Sequence, residues 1–326
     1  MIGGRSLVLL AAAALLMAGT LVSVMVGAAD IKPGTIVAAL IHFDAQEPDH
    51  LVIREFRLPR TVAALLVGAS LGAAGAIMQG MTRNPLASPS LMGLNAGAGL
   101  LLALGLVFFP TIGFTGLIML SFLGAFLGVV LVYGIGSAHP GGLAPVRLAL
   151  AGAAVSALFG AMTSILVIYF GIAQDVLFYV AGGLQGVRWP QLNLAFPWMI
   201  AGLVGALAIS RSVTLLSLGS DVAAGLGQNL RVAQIGGVVV TLLLAGTAVA
   251  LAGGIGFVGL VVPHIARFIL GVDYRWVIPG SALCGALLLV MADLFARMVN
   301  PPYETPVGLV TALIGVPFFL WLMRRA

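Results

Sequence analysis

The groups that could do chemistry in this chain are few, and their placement excludes most of it. Its lone lysine, Lys32, is followed by Pro33. A loop ending in Gly-Lys-Ser/Thr, which wraps nucleotide phosphates and sets the lysine on them, is therefore absent. The 4 histidines (His42, His50, His139 and His264) are scattered, and no His-Glu-x-x-His helix occurs. The single Cys284 sits in an apolar run, which excludes an internal disulfide framework and a cysteine-based metal cluster. Asp293 and Arg297 stand four apart, a spacing that lets them pair on one helix face. An ion-coupled carrier would normally carry buried Asp, Glu or His along its path. Here most charges fall at the ends of apolar runs. What remains is a set of arginines, Arg57 and Arg60 among them, and clusters of Pro, Gly and Asn that shape the backbone.

The elements that must position these groups are membrane spans. The chain is 61% hydrophobic and 8% charged, with a mean hydropathy of +1.17. Soluble domains carry about 25% charged residues, so this is an all-α integral membrane protein. Apolar runs lie near 6–28, 61–81, 91–109, 112–134, 146–170, 192–210, 232–251, 254–271, 277–297 and 306–323. A span needs about 20 apolar residues, so the pattern predicts ten transmembrane helices in one domain covering 1–326. The first run is too long for a signal-peptide core of about 7–15 residues and is read as a span. A short surface helix is expected at Thr35–Ile41. A broken helix is expected across Ala252-Gly253-Gly254-Ile255-Gly256.

One stretch organises the rest: Arg83-Asn84-Pro85-Leu86-Ala87-Ser88-Pro89-Ser90-Leu91-Met92-Gly93. Two apolar runs meet there. Pro85 and Pro89 lack a backbone N–H and disfavour helix at the residues before them, so a stiff polar turn is predicted. Such backbone survives in a membrane only at the interface, inside protein or beside a water-filled cavity. An even number of spans puts both termini on one side. That side then carries Arg5, Arg83, Arg147, Arg211, Arg231, Arg267, Arg275, Arg324 and Arg325. The other carries Lys32, Arg54, Arg57, Arg60, Arg188 and Arg297. The excess marks the first side, with both termini, as cytoplasmic. A faint repeat at an offset of 178 pairs Gly68 with Gly246, Gly75 with Gly253, Pro85 with Pro263 and Gly93 with Gly271. The two copies start from opposite faces, as in inverted-repeat transporters.

Four motifs carry a resemblance. They are Arg57-Leu58-Pro59-Arg60 with the small-residue helix to Gln79; Asn84-Pro85-Leu86-Ala87-Ser88-Pro89 with Gly93; Gly256-Phe257-Val258-Gly259-Leu260-Val261-Val262-Pro263-His264-Ile265-Ala266-Arg267; and Pro306-Val307-Gly308 with Thr311-Ala312-Leu313-Ile314-Gly315-Val316-Pro317. In this order the chain resembles the FecCD permeases, the membrane subunits of ATP-binding-cassette importers for ferric siderophores, haem and vitamin B12. The resemblance implies the type II importer permease fold in a prokaryotic cell membrane. It also implies a second permease subunit as homo- or heterodimer partner, two cytoplasmic ATPase subunits holding ATP and Mg, and an external binding protein that delivers a metal chelate.

The resemblance also assigns roles. Arg57, Arg60 and Arg297 receive acidic groups of the binding protein, where the plainer reading is anchoring to lipid phosphates. Asn84 and Leu86, with Pro145 and Val146 of the turn before the fifth span, form the cytoplasmic gate. The segment 216–228 is the helix that couples to the ATPase, through Leu218, Gly219, Ser220, Asp221, Ala223, Leu226 and Gly227. Ser220 or Asp221 is expected to cap it. Residues 175–185 line the outer mouth. No catalytic residue, cofactor, metal ligand or nucleic-acid partner is expected in this chain. The cargo wording is closest to ferric siderophore members, with haem or vitamin B12 import as alternatives. Rivals of another class are an ion-coupled secondary carrier and an intramembrane enzyme, which would need paired catalytic groups within the spans.

Overall fold

The structure is a computed structural model that describes residues 2–27, 31–137, 145–300 and 303–324. The helices, in chain order, are α1 (Ile2–Met25), α2 (Pro33–Ile41), α3 (Pro48–Leu51), α4 (Leu58–Thr82), α5 (Leu94–Phe108), α6 (Gly113–Ser137), α7 (Pro145–Phe170) and α8 (Ala173–Val180). They continue with α9 (Trp189–Ala208), α10 (Ser210–Ser217), α11 (Ser220–Gly225), α12 (Leu230–Thr241), α13 (Thr247–Ala252), α14 (Val258–Leu270), α15 (Tyr274–Met298) and α16 (Val307–Met323). A π-helical turn, Val52–Arg57, joins α3 to α4, and another, Leu242–Gly246, joins α12 to α13. The surface helix expected at Thr35–Ile41 is α2.

Among the described residues seven helices are long and apolar enough to cross a membrane: α1, the continuous Pro48–Thr82 helix, α6, α7, α9, the continuous Leu230–Ala252 helix and α15. Three more are apolar but shorter, Leu94–Phe108, Val258–Leu270 and Val307–Leu322. Each of the ten apolar runs thus contains one helix, while only seven reach full spanning length. The shortfall has a local cause at α5. Its run begins near residue 91, but Pro89–Met92 forms a 3-10 turn and Gly93 takes φ 72° before the helix starts.

The core is α4 packed along α15. Every residue of α4 from Ala63 to Gly80 except Leu65 is buried. Small side chains bring the two backbones together. A Cβ on Gly68 would collide with the carbonyl of Gly285, one on Gly72 with that of Ser281, and one on Gly285 with that of Gly68. Without a hydrophobic drive between helices in lipid, such backbone contact supplies the packing energy. A second seam joins α4 to α14, where Gly75 meets Gly259, and a third joins α5 to α6 at Gly97 and Gly124.

The break expected after α13 is present. Gly253 takes φ 70°, Phe257 takes φ 66°, and α14 starts at Val258. Pro263 inside α14 removes one backbone donor, so the carbonyl four residues earlier, that of Gly259, loses its helical partner. Gln79 of α4, 2% exposed, supplies the replacement: its Nε2 donates to Gly259 O at 3.3 Å and Leu260 O at 3.2 Å. In the offset pairs, Gly93 and Gly271 both have positive φ, 72° and 87°. Pro85, however, lies in a turn and Pro263 inside a helix. The likeness therefore survives at the glycine and not at the proline.

Replacing Gly285 with Leu should destabilise the fold by about 3 kcal/mol or more through overpacking of the α4–α15 seam. Gly160→Ala, where nothing lies within 4 Å, should be neutral. Thermal melting of the two purified variants in detergent checks this.

Candidate functional site

The three arginines expected to reach outward lie inside the fold. Arg57, Arg60 and Arg297 are 6%, 7% and 6% exposed. Asp293, 0% exposed, stands between two of them: Arg60 Nε lies 2.9 Å from Asp293 Oδ1, and Arg297 Nε 3.2 Å from Oδ2. Arg60 Nη1 reaches Glu304 Oε1 at 2.7 Å. Arg297 Nη2 donates to Ser23 Oγ at 2.7 Å and Ser23 O at 3.2 Å, and Arg57 Nη1 donates to the carbonyls of Val24 and Met25 at 3.1 Å each. Those carbonyls close α1, whose last four have no intrahelical donor. Two guanidiniums therefore cap the end of α1, which is also where cations are electrostatically favoured. Gly27 makes room, since a Cβ there would meet the Arg57 guanidinium.

These side chains form the floor of a cleft of about 240 Å³, completed by Val52, Phe56, Gln185 and Arg188. The Arg188 guanidinium stacks 3.4 Å above the Phe56 ring. Four guanidiniums face one carboxylate, Glu304, across it. Among the described residues Arg60 Nη2 finds no acceptor. Beside the cleft, residues 175–185 form the end of α8 and a loop. Gly183 N donates to Ala252 O at 2.9 Å and Gly308 N to Gly182 O at 3.2 Å. A mostly apolar cavity of about 380 Å³ lies under α8, between Leu102, Phe114, Tyr179 and Leu251.

At the opposite end α4 stops at Arg83, whose φ is 52°. Asn84 folds back on itself, with its Oδ1 accepting Leu86 N at 2.9 Å and its carbonyl accepting Ala87 N at 3.1 Å. Asn84 and Leu86 are exposed, while Ala87 and Pro89 are buried, so the turn re-enters the protein. Pro145 and Val146 open α7, which packs against the Pro89–Met92 turn. The side chains of Pro145 and Val146, and residues 141–144 before them, lie outside the described residues.

The segment expected to couple is a helix of 6 residues, α11. Its N-cap is Gly219, with no capping side chain, and not Ser220 or Asp221. The reason is the backbone: Gly219 takes φ 118°, a conformation only glycine adopts readily. Gly227 closes the segment with φ 81°. Ala223 is buried, but Leu218, Val222 and Leu226 are 57%, 48% and 62% exposed, and Asp221 is exposed too. Val222 and Leu226 are four apart and share a face. Such an exposed apolar patch at a polar end fits a protein contact.

The FecCD transport family matches residues 15–325. The chain belongs to this family. It is 50% identical over 99% of its length, and 84% of the relative's, to the iron(3+)-hydroxamate import system permease protein FhuB of Bacillus subtilis (strain 168). It is 43% identical over 94% of its length, and 91% of the relative's, to the iron-uptake system permease protein FeuB of the same organism. A solved inward-facing conformation of a putative metal-chelate type ABC transporter superposes with a TM-score of 0.84 at 28% identity, covering 98% of this chain and 99% of that one. This FecCD chain is thus a multi-pass membrane permease of an importer.

Sequence reasoning about this permease found the Asp293–Arg297 pair but missed that Arg60 closes on the same carboxylate. It also missed Glu304, Ser23 and Arg188. No signal in a single sequence links Arg60 to Asp293, 233 positions away. Asp293→Asn leaves two buried guanidiniums short of a charge and should cost about 3–5 kcal/mol. Glu304→Gln, at a carboxylate 39% exposed, should cost less than about 1 kcal/mol. Chemical denaturation of both variants in detergent checks the ranking, and equal losses would mean that Asp293 is not the anchor.

Proposed function

We propose that this permease carries a ferric hydroxamate-type siderophore across a prokaryotic cell membrane, driven by ATP hydrolysed on separate subunits. The observation that carries the cargo is the 50% identity, over nearly the whole chain, to a ferric hydroxamate permease. The separate ATPases follow from chemistry: the chain has no nucleotide-binding lysine loop. The resemblance to importer permeases supports a second permease subunit beside this one. The pathway then runs between two permeases, and a bulky chelate slides past apolar groups without a metal-ligating cage that would trap it.

In this reading the arginine cleft faces outward and takes acidic side chains of the binding protein. Its size and its burial of Arg57, Arg60 and Arg297 favour one carboxylate entering at a time, with Arg188 at the rim meeting it first. The opposite end is cytoplasmic, with both termini there. Asn84 and Leu86, beside Pro145 and Val146, close the inner mouth. The segment from Leu218 to Gly227 docks on the ATPase by its apolar face, with Ser220 and Asp221 at its rim and Ala223 anchoring it inward.

Reconstitution with the ATPase subunits and the binding protein in liposomes tests the reading. Radiolabelled ferric hydroxamate should enter only with ATP on the ATPase side, and haem and vitamin B12 should not. Uptake driven by an ion gradient without any ATPase would overturn it. Arg188→Glu should slow association of the binding protein by about tenfold at low salt, since charge pairs set on-rate more than affinity. The deficit should shrink as salt screens the rim. Stopped-flow association at two ionic strengths reads both effects.

A further inference from the structure

Two helices, α10 and α15, meet at one hydroxyl beside the segment 218–227. Thr214 belongs to α10, the helix that leads directly into that segment. Its Oγ1 accepts the backbone N–H of Tyr274 at 3.0 Å. The same oxygen donates to Ser210 O at 3.0 Å, with Asp273 Oδ1 at 3.3 Å sharing the hydrogen. Tyr274 opens α15, and the first N–H groups of a helix have no partner within it. Asp273, the residue before, caps the next donor: its Oδ1 accepts Arg275 N at 3.0 Å. The start of α15 is therefore capped from two sides, once by its own chain and once by α10.

The joint is packed as well as bonded. Val213 and Tyr274 are 1% and 4% exposed, and a Cβ on Gly80 of α4 would overlap both. Gln228 Nε2 donates to Ser212 O at 3.3 Å, which closes the far end of the segment back onto α10. Arg275 holds the other Asp273 oxygen at 2.8 Å, which keeps that carboxyl below the usual carboxylate range and so charged. A displacement of 218–227 must pull on α10, and α10 grips α15 through Thr214. From there the α4–α15 seam runs unbroken to Asp293 and Arg60 at the other end.

We propose that Thr214 is a positioning residue for ATP-coupled import: its hydroxyl is the joint through which movement of the 218–227 segment is passed to α15. The inference rests on the reading of that segment as the ATPase contact. A cap that merely stabilised the fold would leave the yield of transport per ATP unchanged, and that difference makes the proposal testable.

The experiment uses the complete importer in liposomes, with two permeases, the ATPases and the binding protein, and measures ATP hydrolysed per ferric hydroxamate imported. Thr214→Val keeps the shape and removes donor and acceptor together. It should retain the ATPases and their hydrolysis, while the ratio of ATP to cargo rises by at least about fivefold, the lower edge of ordinary coupling energies. Thr214→Ser should return it to within about twofold. An unchanged ratio in the Val variant overturns the proposal, and so does outright loss of ATPase binding in it. If the Val variant is not recovered from the membrane, Thr214→Ala is read in the same way. A parallel Leu226→Asp variant separates the two ideas. If the ATPases still co-purify with it, the contact reading itself fails; if they are lost while Thr214→Val couples normally, only the joint fails.

Discussion

A carboxylate without solvent access is the constraint from which one end of this permease follows. Asp293 is 0% exposed. An isolated charge in such a place would cost several kcal/mol, so it must be paired and hydrogen-bonded or neutralised. Arg60 and Arg297 supply the pairing, one from α4 and one from its own helix. Their remaining donors then need acceptors, and these come from Ser23, the end of α1, and Glu304. One buried carboxylate thereby fixes α1, α4, α15 and the approach to α16. Arginine suits the task because its planar fork reaches several acceptors at once and does not lose its charge.

The same cluster reconciles two readings of these arginines. On the sequence they look like surface charges awaiting a partner. In the fold they are structural, and only the cleft above them is open. Charge excess is what survives: Arg57, Arg60, Arg188 and Arg297 against the two carboxylates of Asp293 and Glu304 leave a net positive charge in a narrow space with low-dielectric walls. The structural role holds the field in place. The guanidiniums are thus preorganised, and little would be spent on ordering flexible side chains.

Membrane character, the break after α13 and the stiff turn after α4 were legible because each depends on local residue types: apolar run length, clustered glycines and paired prolines. Roles assigned to Asn84, Leu86 and the 218–227 segment came instead from the resemblance, and the structure adds geometry to them without testing them. The three-dimensional pairings were not legible. Arg57 caps α1 from 33 positions away, and Thr214 caps α15 from 60; neither leaves a periodic trace. The N-cap of α11 was misread for a related reason. Ser220 and Asp221 have good capping side chains, but a backbone that must turn at φ 118° selects Gly219 ahead of them.

The turn after α4 shows how a stiff segment can satisfy its own backbone. Asn84 closes a local ring with Leu86, the prolines remove donors that would otherwise need partners, and Gly93 restarts the chain as α5. The turn therefore satisfies its own backbone and needs little from its neighbours. Pro89 Cδ lies 3.3 Å from where a Cβ on Gly259 would stand, so α14 is held at that level by shape. Movement of α14 against this turn breaks no backbone hydrogen bond of either. Gln79 holds the Gly259 carbonyl that Pro263 frees, and that of Leu260 beside it, and it does so from α4, the buried core helix. The contact between α14 and the turn is therefore one of shape at a glycine, while the hydrogen bonds that satisfy each backbone lie within it or come from Gln79. That keeps unpaired backbone groups, each worth several kcal/mol in lipid, out of the seam between them.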